Sequence, residues 1–365
     1  MWCRQVFSAS RLIRGVFLAL GVYSAGLSAT LAADSFKVGE TTYTVVIQQP
    51  AVALERLAVS GTTPQKIVGF DADNKPYALE GLIGSLVLTP LKDFIPAATP
   101  KPEGIVENTA VSYGQHEIDY AYFAGTVEGV LSPILGKLPV GSTLVAVLRN
   151  GTTLKFSLPE GYIYQNTTPV VIDLNNDGLE EIVATETNLQ TATSVLGLYI
   201  PVEGRLKRMA SSPALPQGQW VDALGTLDWQ SDGEPSILAL EAPNINGFLQ
   251  FYAMKDGKME SVRREYGYSS RIVGTPLSQT MVLADMNDDG AKKAKELVIP
   301  RNSMDALSVL HFEKGLMTRL YEVSLPRSIR SAFFTAYTEK GAVRSMAFML
   351  ADGQVVLITR EQKEQ

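Results

Sequence analysis

Short runs of Val, Leu, Ile, Tyr and Phe alternate along most of the chain with clusters of Gly, Asn, Asp and Pro, and long stretches with helical periodicity are scarce. That pattern predicts an all-β fold. One kind of hairpin recurs. Leu144–Leu148 meets Asn150-Gly151 and returns through Thr153–Phe156. Leu196–Ile200 turns at Glu203-Gly204, Phe248–Tyr252 at Asp256-Gly257 and Leu307–Phe312 at Lys314-Gly315. Ala347–Leu350 turns at Asp352-Gly353 and returns through Val355–Ile358. Glycine supplies the positive φ that such tight turns demand.

From one turn glycine to the next the intervals are 53, 53, 58 and 38 residues. A multi-strand unit repeating about every 50 residues predicts blades of a single β-propeller, six or seven of them with four strands each. No Pro/Ser-rich linker divides the units into separate domains. Propellers close by pairing a strand from one terminus into the blade at the other, and Thr42–Ile47 is the segment expected to complete the blade that holds Gln354–Thr359. Residues 92–115, with Pro96, Pro100 and Pro102, show little periodicity and read as an irregular excursion on one face.

An acidic loop precedes these hairpins at a fixed offset. After the apolar Val170-Val171-Ile172 come Asp173, Asn175, Asp177 and Glu181, with Gly178 at the sharp turn. A hard cation such as Ca²⁺ takes six to eight oxygen ligands, and these four side chains with the Leu179 carbonyl form a candidate set. A second copy carries Asp285, Asn287, Asp289 and Glu296; a worn third carries Asp228 and Asp232, with Ser236 in place of the glutamate. From each loop's first Asp to its hairpin glycine the separations are 31, 29 and 30 residues, so the loops occupy equivalent places in one repeating unit. Asp71-Ala72-Asp73-Asn74-Lys75 reads as a decayed fourth copy. The Asp285 loop also satisfies EF-hand spacing. Strand-like flanks, Pro276 ahead and Pro300 behind, favour a β-loop with an insertion over helix–loop–helix.

These loops resemble the calcium loops of FG-GAP/VCBS repeats, the blades of integrin-α-like β-propellers. The match is clearest over residues 139–325. The resemblance implies a propeller, structural Ca²⁺ at one or two sites, and a role in binding, adhesion or assembly.

The first 33 residues carry Arg4, Arg11 and Arg14, an apolar core at 15–22 and small residues ending Leu31-Ala32-Ala33. This is signal-peptide layout, and it predicts a mature protein of residues 34–365 in the periplasm or outside the cell. Cys3, the only cysteine of the 365-residue chain, precedes the apolar core and is misplaced for lipid attachment. With one cysteine and two histidines, His116 and His311, disulfide frameworks and multi-Cys/His zinc sites are excluded. The formal charge of −6 argues against nucleic acid.

Nucleophile-elbow, P-loop and H-E-x-x-H motifs are absent. No residue is assigned a catalytic or organic-cofactor role. The expectation is a monomeric, non-catalytic module that binds a protein or polysaccharide. The alternative is a polysaccharide hydrolase or lyase with its site in the central channel, which requires convergent carboxylates. Asp222 and Asp228 are the candidate pair, although descent from the repeated loop explains Asp228 more simply. Trp220 and Trp229 read as blade packing, both histidines as ordinary surface or strand residues, and Arg205, Lys207, Arg208, Arg263 and Arg264 as solvated strand edges. Asn150 and Asn166 open glycosylation sequons.

Overall fold

The computed structural model describes residues 34–361, apart from 83, 97–100, 133, 244, 276–279 and 288–295. The leader and Asp289 therefore lie outside the described residues. Strands β1 (Asp34–Val38) and β2 (Thr41–Gln48) open the described chain. A first group contains β3 (Arg56–Val59), β4 (Ile67–Phe70), β5 (Pro76–Leu82) and β6 (Ser85–Pro90). β7 (Ser112–Tyr113) and β8 (Ile118–Val127) start a second, and a small hairpin of β9 (Leu131–Ser132) and β10 (Gly136–Lys137) leads to its remaining strands, β11 (Val140–Leu148) and β12 (Thr153–Ser157).

β13 (Tyr162–Tyr164) bridges to a third group, β14 (Val170–Ile172), β15 (Glu181–Asn188), β16 (Thr193–Val202) and β17 (Arg205–Ser211). The fourth is β18 (Val221–Leu227), β19 (Ser236–Glu241), β20 (Phe248–Lys255) and β21 (Lys258–Tyr266). The fifth is β22 (Val282–Ala284), β23 (Glu296–Pro300), β24 (Ala306–Glu313) and β25 (Leu316–Ser324). The last comprises β26 (Phe334–Tyr337), β27 (Val343–Met349) and β28 (Val355–Arg360). No helix occurs among the described residues, which are all-β.

Each group is an antiparallel meander in chain order, and β13 joins the second and third into one nine-stranded sheet. The last group is the exception. β28 pairs with β2, from Tyr43 opposite Arg360 to Gln48 opposite Val355, and β1 adds a fifth strand outside it. The pairing expected of Thr42–Ile47 is therefore present.

Burial explains why the sheets stack. β4, β19 and β23 are buried at every position, on both faces. The fourth strands β17, β21 and β25 are largely exposed. A strand apolar on both faces needs a neighbour on each side. Val183 and Leu198 of the third group pack on Val221 and Ile237 of the fourth. Leu238 and Phe251 of the fourth meet Leu297 and Phe312 of the fifth. Val298 and Val309 meet Tyr43, Phe348 and Val356 of the closing sheet, whose Val46 and Leu357 in turn meet Ile67 and Leu79 of the first group.

Two sequence-based equivalences are corrected by the strand order. The Gly353 turn joins the second and third strands of its group, whereas Gly151, Gly204, Gly257 and Gly315 join third to fourth. The fourth strand there comes from the other end of the chain, which accounts for the short interval of 38 residues. Asp71–Lys75 likewise joins the second and third strands, β4 and β5, at the end of the sheet opposite the acidic loops, and is not a copy of them.

In the third and fourth groups a buried glutamate pairs with a partly exposed arginine of the same sheet. Glu186 of β15 accepts from the Tyr199 hydroxyl at 2.6 Å and pairs with Arg208 at 2.9 Å. Glu241 of β19 accepts from Tyr252 and pairs with Arg264 at 2.9 Å. Arg208 and Arg264 are thus ion-pair partners rather than merely solvated. Gly197 leaves room for the first pair, since a Cβ there would stand 2.0 Å from Glu186 Oε1.

Val45→Asp should destabilise by roughly 3–5 kcal/mol, because Val45 is buried within the closure strand and the carboxylate would have no partner. Lys37→Ala, exposed on β1, should stay within about 0.5 kcal/mol. Gly257→Ala, at φ +73° in open space, should cost about 1–2 kcal/mol. Gly197→Ala should cost more, roughly 2–3 kcal/mol, through overpacking against the ion pair. Urea unfolding midpoints check all four.

Candidate functional site

The acidic loops all connect the first and second strands of their groups. Ile172 pairs with Glu181, Leu227 with Ser236 and Ala284 with Glu296, so the two glutamates and the serine occupy one register position. Glu181 Oε2 accepts from the Leu174 amide at 2.9 Å, and Glu296 Oε2 accepts from the Met286 amide at 3.0 Å. Equivalence of the loops extends to hydrogen-bond detail. β22 and β23 flank the Asp285 loop as a paired hairpin, which excludes an EF-hand.

Within the Asp173 loop, Asp173 Oδ2 accepts from the Gly178 amide at 3.2 Å and Asn175 Oδ1 from the Asp177 amide at 3.0 Å. Asp177 Oδ1 accepts from the Leu179 amide at 2.8 Å, and its Oδ2 from the Asn175 side-chain amide at 2.9 Å. Asp173 Oδ1 is buried without a partner. Burial raises the Glu181 carboxyl above its ordinary range; the Leu174 amide opposes this, while Asp177 and Asp173 add to it. The donor set suits a hard cation, and an orphaned carboxylate oxygen together with a carboxyl made hard to ionise by burial, with a smaller push from Asp177 and Asp173, are features a cation would relieve. The side chains are turned to the loop's own amides, and among the described residues no three His, Cys, Asp or Glu groups converge as ligands.

The Asp285 loop differs in one respect. Glu296, 1% exposed, gives Oε1 to His311 Nδ1 at 2.7 Å, so both its oxygens are engaged. The Asp285, Met286 and Asn287 carbonyls accept from the Val343 amide, the Tyr43 hydroxyl and the Thr41 hydroxyl at 3.0, 2.7 and 3.0 Å. Beside the first loop, His116 Nε2 lies 3.9 Å from Asp173 Oδ2, and Glu117 Oε1 accepts from the Glu180 amide at 2.7 Å. Each of the two histidines therefore sits against a loop carboxylate. Sequence reading missed this because His116 is 57 positions from Asp173 and no local motif joins them.

A cavity of about 400 Å³ is lined by first strands or the residues leading into them from five groups: Ser112, Val170, Asp222, Val282 and Thr335. Its polar wall is a network centred on Asp222. Asp222 accepts from the Asn166 amide and the Ser270 hydroxyl, each at 2.9 Å, and Arg271 Nη2 lies 3.5 Å away. Asn166 is buried within it, which removes that sequon from use. Asp222 and Asp228 lie near opposite ends of β18, about 20 Å apart at strand rise, far beyond a glycosidase carboxylate pair. Trp220 and Trp229 pack in apolar clusters, as expected.

No family model matches the chain, and no curated protein matches it. Among solved structures, the Dos1 propeller is similar over 90% of this chain and 88% of that chain, at 9% sequence identity and a TM-score of 0.39.

In the presence of chelator, the raised Glu181 carboxyl has a definite sign. Its contribution to stability is fully present below the ordinary carboxyl value of 4.5 and is lost as pH rises through the higher folded-state value. Glu181→Gln should flatten that decline. Unfolding of both proteins from pH 4 to pH 8 checks it, and parallel curves would refute it.

Proposed function

We propose that this chain is an exported, non-catalytic β-propeller of six four-stranded blades that binds a protein or polysaccharide on a loop face, with Ca²⁺ stiffening its acidic loops. The observation that carries the reading is the run of four-stranded meanders, packed one on the next from the second group to the last, whose last member is completed by β2 from the other end of the chain and packs in turn on the first. The FG-GAP/VCBS resemblance rests on the acidic loops, and their common register supports it. Asp173, Asn175, Asp177, Glu181 and the Leu179 carbonyl would hold the ion. A bound cation offsets repulsion among the carboxylates and cross-links the strands that flank the loop.

Asp285, Asn287, Asp289 and Glu296 form the second candidate set, weakened by the His311 contact to Glu296. Export rests on the leader. The channel-enzyme alternative requires at least two free carboxylates near the axis. The described cavity lining has one, Asp222, already hydrogen-bonded.

Thermal unfolding in millimolar Ca²⁺ and in chelator tests the metal. At 100 times the dissociation constant a filled site adds about 2.7 kcal/mol, which should raise the melting temperature by several degrees. Asp177→Ala should abolish the shift and Asp289→Ala should leave most of it. No shift in the unsubstituted protein would leave the loops as hydrogen-bonded turns without metal.

A further inference from the structure

Among the described residues Arg271 is the most deeply buried cation, at 1% exposure. It sits between Ser270, whose hydroxyl bonds Asp222, and the approach to β22, and it lines the axial cavity. Its compensation is incomplete. Asp222 is satisfied by Asn166 and Ser270 at 2.9 Å each, and its contact with Arg271 Nη2 is long, at 3.5 Å. Arg271 Nε and Nη1 are buried with no partner. The remaining contact is the Trp220 ring, whose centre lies 4.3 Å from the guanidinium carbon. Thr280, whose amide bonds the Ser270 carbonyl, also keeps a buried hydroxyl without a partner. A guanidinium cannot shed its charge to escape burial, so five donors with one long acceptor call for another acceptor.

We propose that the axial cavity binds a small organic monocarboxylate, its carboxylate on Arg271 and its apolar part against Val170, Val282, Leu283 and Phe333. The lining chooses among anions. Asp222 already offsets the charge of the guanidinium, so every ligand charge is an excess, and a monocarboxylate brings one where a phosphate dianion brings two. Carboxylate geometry suits a guanidinium, and the charge-assisted bonds strengthen in a site screened from water. Apolar side chains from the third, fifth and sixth groups form the other wall, which an inorganic ion would leave bare. A volume of about 400 Å³ falls in the range of small-molecule sites. The Asn166 and Ser270 bonds hold Asp222, and with it the guanidinium, in place before a ligand arrives.

The test uses the full chain at fixed pH and ionic strength, with hexanoate, benzoate, inorganic phosphate and chloride as probes. Hexanoate or benzoate should raise the melting temperature saturably, with phosphate and chloride having little effect. Arg271→Met should weaken the response at least roughly tenfold, as the loss of charged hydrogen bonds implies. Thr335→Phe narrows the cavity without touching the arginine, and should remove the response while leaving the protein folded. If Arg271→Met does not fold, a Trp2→Phe/Trp229→Phe protein keeps Trp220 as the sole tryptophan, and a saturable hexanoate-induced change in tryptophan-selective emission must appear there.

The inference is overturned if no monocarboxylate acts on the unsubstituted protein. A response that survives both Arg271→Met and Thr335→Phe, or phosphate acting as strongly as hexanoate, would also overturn it. Calcium dependence of unfolding reads the loops at the other end of the first strands and is independent of every one of these outcomes.

Discussion

Three of the second strands, β4, β19 and β23, have no face that water can share. Ser236–Glu241 and Glu296–Pro300 are buried throughout, so a sheet built around either must be covered twice. That requirement turns a string of meanders into a stack, each sheet supplying half of its neighbour's core. It also defines a problem at the last sheet, where the meander supplies three strands, β26 to β28. β2 solves it by pairing with β28, and Tyr43 and Val45 then enter the core shared with the fifth group. Contacts of very high sequence separation result, with Tyr43 reaching carbonyls at 286 and 343. Closing such a loop costs chain entropy that no local interaction returns.

The acidic loops fasten these sheets through hydrogen bonds. Glu180 of the Asp173 loop accepts the Ile118 amide of the second group at 3.1 Å, and the Asn176 side chain donates to Gly233 in the next loop at 3.1 Å. From that next loop, Ser231 accepts the Lys314 amide and Trp229 the Gly315 amide of the fifth group. The Asp285 loop reaches Val343, Tyr43 and Thr41. Each loop thus bonds to the neighbouring group, and the turn that lost its glutamate at Ser236 still does so. Rigidity at this end of the molecule has a hydrogen-bond component, and a cation at Asp173 would add to a framework already formed.

Elements governed by local chemistry were legible in the sequence. Glu203-Gly204, Asp256-Gly257 and Lys314-Gly315 all have positive φ at both residues, the turn their composition implies. The loop register and the closure strand were legible too, because spacing and apolar runs carry them. The Gly353 turn was misplaced because a D-G hairpin looks the same wherever it falls in a meander. The network around Asp222 was invisible for another reason. Asn166, Asp222 and Arg271 belong to three groups, and only the convergence of first strands brings them together.

A charge reversal shows the same limit and how the fold tolerates it. Five residues beyond the closing position of each loop stand Glu186, Glu241 and Arg301, each on or just after a second strand. The first two take an arginine partner from the fourth strand, Arg208 and Arg264. At the third the signs are exchanged, and Arg301 faces Glu322 of β25 at 4.0 Å. Either polarity is acceptable there, because what the half-buried position penalises is a charge without its opposite. A change at one strand alone leaves such a charge, so the two positions, about twenty residues apart in sequence, are constrained as one. No window along the chain shows that constraint. It exists only once the second and fourth strands lie in the same sheet.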